Sequence, residues 1–375
     1  MTSDSLTIGA VGDIAAFFDE PETMFDLVAD ELAEADISFA QNERHYNASD
    51  ATPIGTFTEQ TSPDNAAFLT SGGFDVLSFA SNHCMDLGAE PMMETVEVLR
   101  GQGFKVIGVG RNIVEARRPA IIERQGTKVG FLAYCSVLRT AYEADLAKPG
   151  AAPMRAFTLY HQTDYQPGTA PRIMTFPNQA DLAALIADIE QLRSQVDVLV
   201  VSFHWGIHFV ESVIADYQKD VAHAVIDAGA DIIVGHHPHV IKGIEVYKGR
   251  PIFYSLGNFA FDMPASEVEE RLAVAPGRRA TYDAWGWVYT DPEWSRYAFP
   301  PSSRRTMIAQ FTVEDRKVVR TRFVPLAINN RAQPEALTSP QAFEEYLTYV
   351  RRISADEGFT TKLEIDDGRI AVSTE

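Results

Sequence analysis

Short apolar runs alternate with amphipathic segments through the first two thirds of the chain, a pattern typical of stacked βα units. The runs predict strands at Leu6–Val11, Ile37–Ala40, Val76–Ala80, Lys105–Val109, Val129–Tyr134, Val198–Phe203, Ile232–Val234 and Ile252–Ser255. Helices are predicted between them. The chain is therefore expected to adopt an α/β fold.

Two helices stand out from this pattern. Gln179–Ser194 places apolar residues at i, i+3, i+4, i+7 and i+10, so one face of this helix must lie on a sheet. Glu211–Asp227 has a similar stripe and stops before Gly229, a residue type that commonly ends helices. A strand follows at once, which predicts a tight helix-to-strand connection.

Two segments interrupt the alternation. Leu146–Pro177 has little periodicity and is predicted to cross the surface as a long excursion. Met263–Ser303 contains three of the four tryptophans and no clean period, so it is expected to be a long loop that covers a site as a lid. Thr306–Thr312 and Val318–Val324 then predict a hairpin.

We expect one domain, with a core over residues 6–262, an insertion or lid over residues 263–303, and a C-terminal hairpin and helix over residues 304–375. A chain of 375 residues with 46% hydrophobic and 22% charged residues can bury a large core. Its two cysteines, Cys84 and Cys135, are too few for a disulfide framework.

The net charge argues against anionic partners. Thirty-two basic and 52 acidic residues give a formal charge of −20 without an evident basic patch, so neither nucleic acid nor an anionic membrane surface is an expected partner. The opening Met1–Ser5 lacks the basic and long apolar regions of a signal peptide. A cytoplasmic location is therefore expected, and the composition says nothing about oligomeric state.

Six of the nine histidines lie in three short segments at or just after predicted strand ends. This edge is where open α/β sheets bind ligands. Imidazole and carboxyl groups are costly to cluster unless they bind or react, so three such strand ends predict a functional site. The segments contain Asn82, His83 and Asp86, then His204 and His208, then His236, His237 and His239.

Two acidic residues extend this set. Asp13 follows the first strand and Glu43 follows the second. With the histidines they make a mixed oxygen and nitrogen donor set, which suits Mn, Zn, Fe or Mg. A bound divalent metal would activate water and stabilise developing charge at a phosphoryl or acyl centre.

The order of these motifs resembles the CapA, or poly-γ-glutamate capsule synthesis, family, which is similar to calcineurin-like metallophosphoesterases. The resemblance spans roughly residues 6–262, and its last two motifs are long enough to be highly specific. The matching motifs are Gly12-Asp13, Glu43, Asn82-His83 with Asp86 and Gly88, His204-Trp205-Gly206, Gly235–Val240 and Tyr254–Asp262.

The resemblance implies a four-layer α-β-β-α sandwich of the metallophosphatase-like type, with the motifs meeting at one edge. It implies metal-ligand positions at Asp13, Asn82, His204, His237 and His239, with Glu43 as a further ligand or a base. It also implies that His83 is a general acid, whose tautomer Asp86 could fix. His237 and His239 flank Pro238, so in an extended segment both would point to one side.

The chain departs from the family pattern in three places. The phosphoesterase pattern Asp-x-His is absent, because Ala15 stands where the histidine would be. Gln41 replaces the usual Asn ahead of the glutamate, and His208 replaces the acid usually found after His-Trp-Gly. These departures leave open whether the site holds two ions, one or none, and His208 becomes a candidate acid or base.

A small molecule or a peptide is the expected ligand. Trp285 and Trp287 are candidate substrate contacts because tryptophan offers a large rigid surface. Arg305 is a candidate for an anionic group, and His236 and Asn258 complete the predicted substrate-binding set. Asn258 has an alternative role, in which it only bonds backbone groups in a turn beneath the site.

Three functions remain open. The first is a metal-dependent hydrolase of an amide, peptide-like or ester bond, with phosphoester cleavage as a close variant. The second, suggested by epimerases that resemble the family, is a metal-independent peptide epimerase in which two side chains remove and return a proton at Cα. The third is a non-catalytic capsule or polymer assembly protein with a degenerate site.

Overall fold

The structure is a computed structural model that describes residues 5–16, 23–51, 53, 60–164 and 168–374. Its strands are β1 (Leu6–Ala15), β2 (Ile37–Asn42), β3 (His45–Tyr46), β4 (Gln60–Thr61), β5 (Val76–Ser78), β6 (Lys105–Ile107), β7 (Val109–Gly110), β8 (Ala120–Arg124), β9 (Thr127–Cys135), β10 (Gly150–Ala151), β11 (Ala156–His161), β12 (Arg172–Pro177), β13 (Val198–His204), β14 (Ile232–His236), β15 (Ile244–Tyr247), β16 (Arg250–Phe253), β17 (Asn258–Phe261), β18 (Arg305–Glu314), β19 (Lys317–Ile328), β20 (Pro334–Ala336), β21 (Lys362–Asp366) and β22 (Arg369–Ser373). Its α-helices are α1 (Ala29–Ala33), α2 (Ala89–Gly101), α3 (Ile113–Ala116), α4 (Gln179–Arg193), α5 (Asp216–Asp227), α6 (Ala265–Val274), α7 (Arg279–Trp285) and α8 (Pro340–Ala355).

Two large sheets form the centre of the fold. Among the described residues the first has the order β21-β22-β19-β18-β1-β2-β5-β6, with β17 beside β1 and β20 beside β19. The second has the order β15-β16-β14-β13-β9-β8. The pairs β1–β2, β2–β5, β9–β13 and β13–β14 are parallel, as expected of βα units. The predicted α/β class is confirmed.

Strand periodicity divides the second sheet between two cores. Val198 and Val200 of β13 belong to the central core between the sheets. Leu199 and Val201 belong to an outer core, which they share with the buried residues of α4 and α5. Successive strand residues point to opposite faces, so α4 and α5 cover the outer face of this sheet.

The two sheets pack against each other through aromatic side chains. Phe39 of β2 stacks on Phe131 of β9 with ring centroids 6.0 Å apart. Phe253 of β16 meets Phe311 of β18 edge to face at 5.7 Å. Helix α2 packs against β6 of the first sheet. The two packed sheets, with helices against them, agree with the layered α/β sandwich that the motifs implied.

The predicted helices are correct in position, and one is wrong at its start. Gln179–Ser194 corresponds to α4, whereas the helix predicted from Glu211 begins five residues later as α5. Gln218 explains this start. Its side chain accepts a hydrogen bond from the Ala215 backbone amide at 3.0 Å, which caps the N-terminus of the helix at Ala215. Residues 211–215 are free to form a loop.

Both irregular segments contain more structure than predicted. Met263–Ser303 was expected to be a loop, but it holds α6 and α7, which are too short and too strongly interrupted at Pro276 and Gly277 to show a helical period. Leu146–Pro177 contains the antiparallel pair β11–β12. The hairpin predicted after residue 304 is confirmed as β18–β19, and α8 is the expected C-terminal helix.

Candidate functional site

The predicted polar motifs meet where the carboxyl ends of strands from both sheets come together. His204 is the last residue of β13 and His236 is the last residue of β14. Asp13 lies near the end of β1 and Glu43 follows β2 directly. All four side chains are buried. The site therefore lies between the sheets, in the crevice where this fold class binds ligands.

Two glycines allow the backbones to approach each other at this edge. A Cβ atom on Gly12 would lie 2.0 Å from the Gly257 carbonyl oxygen, and one on Gly235 would lie 2.1 Å from that of Tyr254. The next residue, Asp13, donates its backbone N–H to the Gly257 oxygen at 3.0 Å. Both motifs therefore require glycine for close packing.

Asn82 joins two of the histidines. Its Oδ1 atom lies 2.8 Å from His204 Nε2 and 3.1 Å from His237 Nδ1. The Glu43 carboxylate lies 3.7 Å from the same Nε2 atom of His204. One amide oxygen, one carboxylate and two imidazoles thus converge from both sheets.

Asp13 faces two further imidazoles, those of His236 and His239. Its Oδ1 atom lies 3.4 Å from His236 Nδ1, and its Oδ2 atom lies 3.6 Å from His239 Nδ1. Oδ2 also accepts the His237 backbone N–H at 3.1 Å. Asp13 is therefore the residue that connects the first strand to the histidine motif after β14.

The carboxylate-to-imidazole separations of 3.4, 3.6 and 3.7 Å are longer than direct hydrogen bonds, whereas the two Asn82 contacts lie within hydrogen-bond range. Ligand atoms about 2.1 Å from one ion lie about 3.0 to 3.4 Å apart, whereas N–H···O hydrogen bonds are about 2.7 to 3.2 Å long. Asp13 Oδ1 has no hydrogen-bond partner within the described part of the chain. Asp13, Glu43 and His204 can each direct one ligand atom so that all three lie within 4.8 Å of one another. The donor set fits a divalent metal.

Burial keeps the central imidazoles neutral. The pKa values of His204 and His237 lie well below the usual 6.5 because burial disfavours the charged ring and neighbouring histidines repel it. The pKa of His208 is lowered in the same way. A neutral imidazole is the form that binds metal or accepts a proton.

The segment around Pro238 is not extended, as the spacing argument had assumed. His237 and His239 both have positive φ angles, 93° and 56°. Such angles are strained for residues other than glycine. The two ring centroids lie 6.2 Å apart, with His239 Nδ1 toward Asp13 and His237 Nδ1 toward Asn82. The extended geometry expected for this segment was wrong.

His83 forms a separate pair with Asp86. The His83 Nδ1 atom lies 2.7 Å from Asp86 Oδ2, and Asp86 is fully buried. Tyr142 donates its hydroxyl to Asp86 Oδ1 at 2.9 Å, and an Arg139 nitrogen lies 3.1 Å from the same oxygen. Because Asp86 engages Nδ1, Nε2 is the His83 nitrogen available to the cavity.

A cavity of about 370 Å³ opens beside this pair. Its polar floor includes Asn82, His83, His208 and His239, and its opposite wall comes from the aromatic insertion. The full lining consists of Asn82, His83, Arg139, His208, Phe209, His239, Phe261, Met263, Arg271, Arg278, Thr281, Tyr282, Trp285, Trp287 and Phe299.

Three predicted substrate residues lie away from that lining. His236 is buried behind the floor beside Asp13. Asn258 is buried too, where its Oδ1 atom lies 2.7 Å from His239 Nδ1 and its amide donates to the Tyr297 hydroxyl. Arg305 stacks on the Tyr349 ring of α8 at 4.2 Å. Asn258 is therefore placed to orient His239, and Arg305 belongs to the α8 contact.

Sequence reasoning missed several cavity residues. Arg139 and Tyr142 follow β9, whose polar continuation was a usable signal that another strand ends at this edge. Phe209 lies between the predicted strand at Val198–Phe203 and the helix predicted from Glu211, and it was not singled out there. Arg271 also lines the cavity without having been predicted, whereas Arg278 was one of four arginines, with Arg279, Arg304 and Arg305, that the sequence offered as candidates for an anionic group.

Comparison with known sequences identifies relatives of the chain. The sequence model of the family described as bacterial capsule synthesis protein PGA_cap matches residues 4–263. The PGA biosynthesis protein CapA of Bacillus subtilis is 32% identical over 57% of this chain, and the match spans half of that relative's length. A probable polyglutamine synthesis accessory protein of Mycobacterium tuberculosis is 28% identical over 68% of each chain.

Solved structures show low similarity. The calcineurin-like phosphoesterase YfkN of Bacillus subtilis covers 92% of this chain and 99% of its own, at 14% identity and a TM-score of 0.42. A putative 5'-nucleotidase of Staphylococcus aureus covers 94% of this chain and 58% of its own, at 10% identity and a TM-score of 0.44. Scores of this size carry no argument about activity. Within the described residues, no helix combines the length and apolarity of a membrane span.

Proposed function

Because the chain belongs to the bacterial capsule synthesis protein family, we propose that it is a metal-dependent hydrolase of an amide, peptide-like or ester bond, with phosphoester cleavage as a close variant. One observation carries the proposal. Asn82 and His239 of the ligand-spaced cluster line the same cavity as His83, whose other nitrogen is held by a buried carboxylate. A metal-ligand set and a candidate proton donor thus share one space.

Asp13, Asn82, His204, His237 and His239 would hold the metal, with Glu43 as a further ligand or a base. The set of oxygen and nitrogen donors suits Zn, Mn, Fe or Mg. A bound divalent ion supplies an activated water and positive charge opposite a developing oxyanion. Ala15 stands where phosphoesterases place a histidine, which favours one ion over two.

His83 would act as the general acid. Asp86 accepts a hydrogen bond from Nδ1–H, so Nε2 faces the cavity, and the doubly protonated imidazolium would donate the Nε2 proton to the leaving group. Arg139 and Tyr142 hold Asp86 in place, so the imidazole has one orientation. This arrangement positions a proton donor without needing His83 to move.

The substrate would be a small molecule or a peptide that contacts the aromatic wall. Trp285 and Trp287 present ring surfaces to the cavity, and Phe209 lies 5.0 and 5.4 Å from them, centroid to centroid. Such surfaces bind apolar or aromatic groups. Arg278 lies at the same wall and would favour a substrate with an anionic group.

Metal analysis of protein purified without chelator tests the proposal. We expect bound divalent metal in the parent protein, and its loss in His204→Ala and in His237→Ala. His223→Ala is the matched control, since His223 contacts Glu245 outside the site. Chelation should abolish hydrolysis of p-nitrophenyl acetate or p-nitrophenyl phosphate. Unchanged metal content in both site variants would refute this ligand assignment.

Peptide epimerisation is the second candidate. Two imidazoles, His83 and His208, line the same cavity, and two such groups could exchange a proton at a substrate Cα. A peptide incubated with the protein in heavy water would then gain deuterium at Cα without bond cleavage. An accessory role in polymer synthesis, the role named for the mycobacterial relative, would instead leave both assays negative.

A further inference from the structure

The loop that carries His208 faces the cavity with one side. We call residues 205–215, between β13 and α5, the His208 loop. The His208 ring lies 3.8 Å from the His237 ring, and Phe209 packs on Trp285 and Trp287. Phe209 has a φ of 55°, a strained angle for a phenylalanine. Such a conformation persists only where surrounding contacts impose it.

The other side of the loop is bound by the C-terminal end of α8. Arg352 lies 2.7 Å from the Glu211 carboxylate. The Ser212 hydroxyl donates to Asp356 Oδ2 at 2.7 Å, and the Ile214 backbone amide donates to Glu357 Oε1 at 2.9 Å. Three consecutive parts of the loop therefore attach to one helix end.

Lys242 holds the loop from beneath. Its side chain is buried, and its Nζ atom donates to the carbonyl oxygens of Val210 and Val213. Burial lowers the pKa of Lys242 to about 8. Glu357 also accepts from Lys219 of α5 at 2.7 Å, so this carboxylate links α8, the loop and α5.

We infer that the end of α8 is a positioning element for the site, in which Arg352, Asp356 and Glu357 fix the His208 loop and thereby the His208 and Phe209 rings. The family match ends at residue 263, so α8 lies beyond the matched region. A part of the chain that the family model does not describe thus controls the geometry of the cavity. The inference rests on the proposed function only in taking the cavity as the place where substrate reacts.

The contacts between the end of α8 and the His208 loop differ in strength. The side chains of Arg352 and Glu211 are 47% and 37% exposed, and such surface pairs contribute little alone. Glu357 is only 12% exposed and accepts a backbone N–H, a charge-assisted bond in a drier setting. Glu357 is therefore the residue whose removal should loosen the loop most.

The experiment compares the double variant Arg352→Ala/Glu357→Ala with the parent protein by hydrogen–deuterium exchange over residues 205–215. We expect exchange of the loop amides to accelerate at least tenfold, with bound metal unchanged. Turnover of p-nitrophenyl acetate should fall about tenfold, mainly in kcat. Glu357→Gln should restore most of the protection, because its Oε1 atom can still accept from Ile214.

Arg320→Ala/Asp366→Ala is the control, since it removes an exposed ion pair that joins β19 to the end of β21. Exchange in the His208 loop should stay at the parent rate in this variant. Equal acceleration in the control, or parent-like exchange in Arg352→Ala/Glu357→Ala, would overturn the inference. Exchange does not depend on turnover, so a parent protein without hydrolytic activity would refute the proposed function and still allow this test.

Discussion

The floor and the opposite wall of the cavity are built from different kinds of side chain. The floor, within residues matched by the family model, consists of polar groups such as Asn82, His83 and His239, and buried polar groups such as Asp13 and His204 lie behind it, where they cost stability unless they bind something. The opposite wall, from the insertion, consists of stacked rings such as Tyr282 on Trp287 at 4.7 Å, which are stable through their own packing. Under the proposed function, the floor would carry the chemistry and the wall would select the substrate.

The strongest test of this division is His83→Ala. Loss of the general acid should lower hydrolysis by about 100 to 10,000-fold, because proton transfer typically supplies that factor. Bound metal and thermal unfolding should stay at parent values, since His83 lies outside the donor cluster. An active variant would show that the floor does its chemistry without this imidazole.

Acid should destabilise the folded protein through the histidines at and behind the floor. The pKa values of His204, His208 and His237 are lowered in the folded state, so below the unfolded value of 6.5 the unfolded chain binds more protons. Stability is therefore complete above pH 6.5 and is lost as the pH falls through the lowered values. Each of the three contributes up to about 1.4 kcal/mol per pH unit.

Urea unfolding of metal-free protein between pH 7 and 5 measures this slope. His208→Gln should reduce it by up to one proton, since that ring no longer titrates. A stability that does not change between pH 6.5 and 5 would contradict the assignment of these three imidazoles as neutral groups in the folded protein.

Lys242→Met should have a smaller effect on the pH dependence of stability, and this effect should appear at alkaline pH. The pKa of Lys242 is lowered to about 8, so between pH 8 and the ordinary value of 10.5 the unfolded chain binds one more proton. Parent stability should rise across this window by up to about 1.4 kcal/mol per pH unit, and the variant should lack that contribution. Identical slopes for the two proteins would show that Lys242 is not buried as a titrating amine.

The wall should respond most weakly. Trp285→Ala and Trp287→Ala should each weaken binding of an aromatic competitor such as N-acetyl-phenylalanine by about tenfold or less, since one aromatic contact contributes about 0.5 to 1.5 kcal/mol. Trp294→Ala is the control, because Trp294 packs on Tyr297 and under Arg304 outside the cavity lining. If isothermal titration showed the same loss of affinity for all three substitutions, Trp285 and Trp287 would not be specific ligand contacts of the wall.

The sequence predicted the floor well because its signals are local. A strand alternates its side chains with a period of two, so the apolar runs before His204 and His236 reveal both the strands and the points where they end. Parallel strands carry their carboxyl ends to the same edge. Meeting of the motifs at one place followed from these two rules.

The insertion was predicted poorly because its sequence carries no such local signal. Helices α6 and α7 have ten and seven residues, so neither repeats its apolar stripe often enough to be read. Trp285, the last residue of α7, and Trp287, two residues beyond it, face the cavity because Phe209 and Phe299 give them a surface to pack on. Packing partners distant in sequence chose the orientation.

What the sequence by itself determined is the fold class, the strand ends and the residue types gathered there, since each depends on neighbours within a few positions. Only the tertiary structure decided that Tyr142 and Arg139 hold Asp86, which lies 56 residues before Tyr142, and that α8 reaches back 141 to 144 residues to the His208 loop. Periodicity reports on contacts within one turn or one strand, whereas these contacts exist only after the sheets have packed.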